Sequence, residues 1–149
     1  MTEIRFYHLQ KQSLDQALPL ILEKALEKGH RILVKCANDD QMNELDKALW
    51  SYKNTSFLAH GTQTDDLPDQ QPIILNCNDD NPNDADLLVL TGGTQSGDLD
   101  DFKLCCDMFD GNVDEELSAA RSRWKQLSDT DHDITYWQQT DTGGWNKKA

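Results

Sequence analysis

The sequence predicts an α/β domain: a mainly parallel central sheet flanked by helices in three layers. Three observations carry this. Strand-length apolar runs alternate with helical stripes as far as Tyr52. Two later runs, Pro72–Cys77 (PIILNC) and Ala85–Leu90 (ADLLVL), are almost continuously apolar, the pattern of strands buried on both faces. The links between the early elements are short, as in βαβ units. A chain of 149 residues fits one domain, 1–149, with a polar tail over 140–149.

Each element has its own signal. Ile4–Leu9 reads as the first strand. Ser13 and Gln16 have capping-box spacing, and Leu14, Leu18, Ile21, Leu22, Ala25 and Leu26 form a helical stripe that Gly29 ends. Pro19 lacks a backbone donor, so this helix is expected to kink or to start late. Arg31–Ala37 is the second strand. Asn38 or Asp39 caps a second helix with the stripe Met42, Leu45, Leu49 and Tyr52. Phe57–Gly61 is a short strand or an ordered loop, Thr62–Gln71 a surface loop, Asn78–Asp84 a turn and Thr91–Asp101 a Gly/Asp loop. Residues 102–109 are ambiguous between strand and helix, and strand is favoured because the run ends in the turn Asp110-Gly111.

The organising stretch is Val113–Gln139, one helix and one strand. Val113, Leu117, Ala120, Trp124 and Leu127 recur at spacings of four and three. Asn112 with Glu115 resembles a capping box. Asp114, Glu115 and Glu116 fill the first turn, whereas Arg121, Arg123 and Lys125 come later, suiting the helix dipole at both ends. Arg121 and Lys125 share a column beside the apolar stripe, and Trp124 can lean towards Arg121. Such a Trp is either core or the floor of a carboxylate site. Ile134–Trp137 is the last expected strand.

Charge sharpens the interest of this helix. The chain has 14 Lys+Arg against 27 Asp+Glu, a net −13. Residues 121–149 hold five of the basic and four of the acidic residues, +1, which leaves nine against 23, −14, for residues 1–120. That balance argues against general nucleic-acid binding, because phosphate contacts supply most such affinity. No apolar run reaches the length of a membrane span and no signal pattern opens the chain, so a cytoplasmic protein is expected. Cys36, Cys77, Cys105 and Cys106 have neither CxxC nor secretory spacing and read as reduced and structural, with Cys105 and Cys106 on opposite faces of a strand.

Motifs for chemistry are weak. Gly92-Gly93-Thr94-Gln95-Ser96-Gly97-Asp98 follows a buried strand, where α/β proteins bind phosphates, and spaces Gly92 and Gly97 as a P-loop does. Asp98, Leu99, Asp100 and Asp101 then stand where Lys and Ser or Thr are needed, so a plain turn is the better reading. The four histidines show no metal-ligand spacing, the acidic pairs lie in or beside turns, and no nucleophile has a diagnostic neighbour. No cofactor, metal or catalytic residue is expected. A nucleotide- or small-molecule-binding enzyme using Gly92–Gly97 is the alternative.

Segments spread along the chain resemble one family, the chi subunits of bacterial DNA polymerase III. They are FYHL (Phe6–Leu9), LDKALWSY (Leu45–Tyr52), SFLAHG (Ser56–Gly61), QPIIL (Gln71–Leu75), NPNDADLLVL (Asn81–Leu90), MFDG (Met108–Gly111), AARSRWK (Ala119–Lys125) and ITYWQQ (Ile134–Gln139). The resemblance implies a single α/β domain without catalysis. It implies a link between the clamp loader, through the psi subunit or an equivalent, and the acidic, Phe-ended tail of single-stranded DNA-binding protein. The residues it assigns to the tail are Arg121, Trp124 and Lys125, with Leu117 where some members carry a further basic residue. It implies a second protein interface at LDKALWSY and SFLAHG, around Trp50 and Phe57. Trp50 lies about 100° round the second helix from Leu49, off the stripe, and is either covered by the following loop or left for a partner.

Overall fold

The computed structural model describes residues 2–50, 60–62, 72–77, 81, 83–95, 99–142 and 144–148. Eight strands and three α-helices follow one another along the described chain: β1 (Glu3–Leu9), α1 (Leu14–Glu27), β2 (Ile32–Lys35), α2 (Asp39–Trp50), β3 (His60–Thr62), β4 (Ile73–Asn76), β5 (Leu87–Leu90), β6 (Leu104–Asp110), α3 (Asp114–Ser128), β7 (Asp133–Gln139) and β8 (Trp145–Lys147). They form one sheet in the order β3-β4-β2-β5-β6-β1-β7-β8. Every neighbouring pair is parallel except β7–β8. The expected α/β class and mainly parallel sheet are therefore observed, and the run left ambiguous at 102–109 holds a strand, β6, at Leu104–Asp110.

The two faces of the sheet bury separate cores. On the first face, Leu18, Leu22 and Ala25 of α1 and Met42, Leu45 and Leu49 of α2 meet Ile32, Val34, Leu75, Val89 and Cys106. On the second, Ala120 of α3, with Leu117, Trp124 and Leu127 half-buried, meets Ile4, Phe6, Leu88, Cys105 and Phe109. Cys105 and Cys106 do fall on opposite faces, and both are free thiols in apolar surroundings. Burial pushes the Cys106 thiol up to about 12, which removes it from thiolate chemistry at neutral pH.

Local chemistry explains the helix ends. The N–H of Ser13 donates to Gln16 Oε1 at 3.1 Å at the start of α1. At its end Gly29 takes φ +86°, and the N–H groups of Gly29 and His30 return to the carbonyls of Leu26 and Ala25 at 3.0 and 3.1 Å. That is a Schellman motif, which needs a residue at ease in the left-handed region. Asn38 is the cap of α2: its Oδ1 accepts the N–H of Gln41 at 2.9 Å.

Four expectations are corrected. The first helix does not start late; it begins at Leu14 and continues through Pro19, which is buried inside it. Asn112 does not cap α3. Val113 is the N-cap, without a side-chain cap bond, and Asn112 Nδ2 donates instead to the carbonyl of Gln10 at 2.7 Å. Val113 is 40% exposed, so the buried stripe begins a turn later than its spacing implied. Within the polar tail, Trp145–Lys147 forms β8, antiparallel to β7, because the backbone edge of β7 is open and pairing satisfies it whatever the side chains. Tyr52, Phe57 and most of the loop at Thr62–Gln71 lie outside the described residues.

Candidate functional site

The residues expected to bind an acidic tail stand on α3, over the second face of the sheet. Leu117 and Trp124 are half-buried; Arg121 and Lys125 are exposed. Trp124 is partly core and partly exposed. Its ring packs edge-on against Phe6 at 5.4 Å and against Tyr136 at 5.7 Å, so one side belongs to the core while the rest borders solvent. Arg121, next to the fully buried Ala120, projects from the rim of the helix.

Two residues that sequence reasoning passed over lie under this surface, the buried His8 and the half-buried Tyr136. His8 Nδ1 lies 2.6 Å from the Tyr136 hydroxyl, and both rings pack against Phe109. The charge of Arg121 reaches both groups. Burial lowers the His8 pKa below its ordinary value and Arg121 lowers it further, while Asp110 opposes them. Burial raises the Tyr136 phenol, and Arg121 pulls it back. The signal for them was present in strand parity. Ile4, Phe6 and His8 alternate on β1 as Ile134 and Tyr136 do on β7, and the register pairs Phe6 with Tyr136. Gly111 holds this corner open: a Cβ there would sit 1.8 Å from His8 Nε2. The glycine of MFDG is thus required by the imidazole packed against it.

Chemically, the arrangement offers two outward cations in one helical column beside half-buried Leu117, Trp124 and Tyr136, with the His8 imidazole against the Tyr136 hydroxyl. A carboxylate can meet Arg121 through paired hydrogen bonds, with an aromatic side chain beside it on Leu117 and Trp124.

Arg123 behaves unlike its neighbours. The helix dipole groups it with Arg121 and Lys125, yet it is 5% exposed and grips Asp107 of β6. Its Nε and an Nη donate to the two carboxylate oxygens at 2.6 and 2.9 Å. Burial raises the Asp107 carboxyl, and the two Arg123 bonds draw it back. The signal was again spacing: Glu116, Ala120, Arg123 and Leu127 recur at four, three and four, so Arg123 lies on the buried side of the helix.

The strand-end glycine loop gives phosphate little room. Gly92 and Gly93 take φ +62° and +78°, as a turn needs. The Gln41 amide oxygen fills the space against Gly92, 2.6 Å from where a Cβ would be. Residues 96–98 lie outside the described residues, as do Phe57 and the side chain of Trp50. Among the described residues no group of three or more His, Cys, Asp or Glu could hold a metal ion, and no helix is long and apolar enough to cross a membrane.

Comparison with known proteins agrees with the resemblance read from the segments. A family model described as "DNA polymerase III chi subunit, HolC" matches residues 1–135. The probable DNA polymerase III subunit chi of Rickettsia prowazekii (strain Madrid E) is 25% identical across 100% of this chain and 93% of its own length. The DNA polymerase III subunit chi of Pseudomonas aeruginosa is 29% identical over 60% of this chain and 63% of its own. A family match over most of the chain, on a mainly parallel α/β fold, leads to one conclusion: this chain belongs to the family of DNA polymerase III chi subunits.

Proposed function

We propose that this protein is a non-catalytic adaptor in DNA replication. It joins the DNA polymerase III assembly to the acidic C-terminal tail of single-stranded DNA-binding protein. The observation that carries the reading is the exposed column of Arg121 and Lys125 beside half-buried Trp124 and Leu117, on a chain of net −13. Such a surface selects a short acidic peptide with a terminal Phe: the guanidinium takes the carboxylate, and the apolar floor takes the ring. The acidic remainder disfavours other polyanions.

The direct test is titration of a labelled acidic peptide ending in Phe, followed by anisotropy. The free-acid peptide is expected to bind and to weaken as salt rises, because exposed charges are screened. The same peptide with an amidated C-terminus is expected to bind much more weakly. Equal binding of acid and amide would remove the carboxylate from the recognition.

The pH dependence follows from His8, faced by Tyr136 of β7, Arg121 of α3 and Asp110 of β6. Its folded-state pKa lies below the ordinary value of about 6.5. For folding, the sign is simple. Below about pH 6.5 the unfolded chain takes a proton that the folded one resists, so stability is intact above that pH and declines as pH falls towards the folded-state pKa. For binding, a carboxylate on Arg121 offsets the repulsion and lets His8 protonate sooner. Peptide binding is therefore expected to take up protons, and so to strengthen, as pH falls below about 6.5. Calorimetry in buffers of different ionisation enthalpy measures the uptake. A His8→Gln variant should show none; uptake unchanged in that variant would assign it elsewhere.

The second face of the adaptor is assigned to Trp50 and Phe57, which meet psi or an equivalent clamp-loader component. Support comes from the position of Trp50 off the apolar stripe of α2 and from the family membership. Trp50→Ala and Phe57→Ala are expected to abolish co-purification with that component while keeping the tail peptide bound. If both variants lose the peptide as well, or unfold, the two-interface arrangement fails.

A further inference from the structure

A parallel sheet normally has helices over both faces, and here the first face is only partly covered. α1 and α2 bury β2, β4, β5 and β6, but beyond α1 the first face of β1, β7 and β8 stays partly exposed. Burial along β1 shows it directly: Ile4 and Phe6 on the second face are sealed, whereas Glu3, Arg5 and Tyr7 on the first are half-exposed. The register pairs Tyr7 with Trp137, Trp137 with Lys147, and Gln139 with Trp145. Cross-strand partners share a face, so Arg5, Tyr7, Trp137, Trp145 and Lys147 all belong to this one.

Between α1 and this face lies a cavity of about 290 Å³. Arg5, Lys24, Lys28 and Lys103 line it, against one lining carboxylate among the described residues, Glu3, which is already bound to Arg5 at 3.1 Å. Four of the chain's 14 Lys+Arg thus surround one cavity on a protein of net −13. Lys24 and Lys28 are one turn apart near the end of α1, and Lys103 precedes β6. None of these three lysines has an ion-pair partner among the described residues. The wall opposite is aromatic: Trp145 stands edge-on to Tyr7 at a centroid distance of 4.9 Å, with Ile21 and Leu104 beside them.

We propose that this cavity binds a nucleotide, with its phosphates on Lys24, Lys28 and Lys103 and its base against Trp145 and Tyr7. Unpaired ammonium groups suit phosphate as point charges, and an aromatic wall accepts any base through its π-face. The volume is at the small end for ligand sites, which fits one nucleotide unit rather than a dinucleotide cofactor. The unit is either a free nucleotide or one residue of a single strand. The site is distinct from the tail surface, which lies on the opposite face of the sheet. It revises, at one place, the expectation that nucleic acid is not contacted: net charge opposes a long polyanion, while a local group of cations holds a short one.

Calorimetric titration of the whole chain with ATP, inorganic triphosphate and a ten-residue oligothymidylate tests this. ATP is expected to bind about tenfold tighter than triphosphate, since stacking on an aromatic wall adds that much. The double reversal Lys24→Glu, Lys28→Glu should weaken ATP at least about tenfold, through lost attraction and added repulsion, and leave binding of the acidic tail peptide unchanged. Trp145→Leu keeps an apolar contact on Tyr7 and should erase the preference of ATP over triphosphate. Tighter binding of the oligomer than of ATP assigns the site to single strands; the reverse order assigns it to free nucleotides. Three results overturn the proposal: no binding of ATP or oligomer near millimolar concentration, equal affinity for ATP and triphosphate, or affinity indifferent to the double reversal. Loss of the acidic peptide in the reversal, without nucleotide binding, would make the cavity a peptide site instead.

Discussion

Replacing Arg123 with Ala is expected to destabilise the fold by about 3–5 kcal/mol, the cost of leaving one member of a buried ion pair unpaired. Asp107 is 2% exposed and takes both of its strong bonds from Arg123. Without the guanidinium, the carboxylate has neither water nor a counter-charge, so it must open the α3–β6 contact or protonate. Its pKa in the variant then lies above the unfolded value. The deficit is full above that raised pKa and shrinks as pH falls through it, because the neutral acid tolerates burial. Urea melts at pH 7.5 and pH 5 measure both effects. The double variant Arg123→Met, Asp107→Leu should recover most of the loss, since apolar residues of similar volume often replace buried pairs without cost. A deficit below about 1 kcal/mol in the single variant, well under the cost of an orphaned buried charge, would show that water reaches Asp107.

Arg121→Ala should do the reverse: leave the melt unchanged and remove peptide binding. The side chain is exposed, so its truncation is expected to shift stability by no more than about 0.5 kcal/mol. A charge-assisted hydrogen bond to a carboxylate is worth about 1.5–3 kcal/mol, which lowers affinity about tenfold to a hundredfold. Lys125→Ala, a point charge at the rim, should cost less and act mainly through salt-dependent association. Trp124→Ala also weakens binding but empties the contact with Phe6 and Tyr136, so its melt must be measured beside its affinity. Wild-type affinity in Arg121→Ala would place the tail elsewhere.

Arg121 and Arg123 set out what was legible in the chain and what was not. They are two residues apart, about 200° around the helix, so they could never share a face. Spacing put Arg121 in the column of Lys125, and the structure keeps it outside. The same spacing rule puts Arg123 in line with Ala120 and Leu127, yet charge argued for solvent, since a lone buried cation is prohibitively costly. Asp107 reverses that argument. It comes from a strand 16 residues earlier, and no local pattern announces that the two will meet.

Most element types are legible in side-chain pattern. Hydrophobic periodicity separates strands from helices at α1, α2, α3 and the blocks that became β1, β2, β4, β5 and β7, whereas β6 is told from a helix only by the turn Asp110-Gly111 that ends it. Cys105 and Cys106 fell on opposite faces by strand parity alone, and Gly29 ended α1 for a reason confined to its own φ. The tertiary structure alone decided three things. The strand order places β1 between β6 and β7, and so brings His8 to Tyr136 across 128 residues. The tail pairs as β8, because an open strand edge recruits backbone, and backbone hydrogen bonds leave no mark in side-chain pattern. The start of α3 falls to Val113, because Asn112 finds the Gln10 carbonyl before it can cap. Periodicity reports what a residue does to its own turn of helix or strand. Long-range pairing depends on which distant surface arrives beside it, and that is set by the packing of the whole chain.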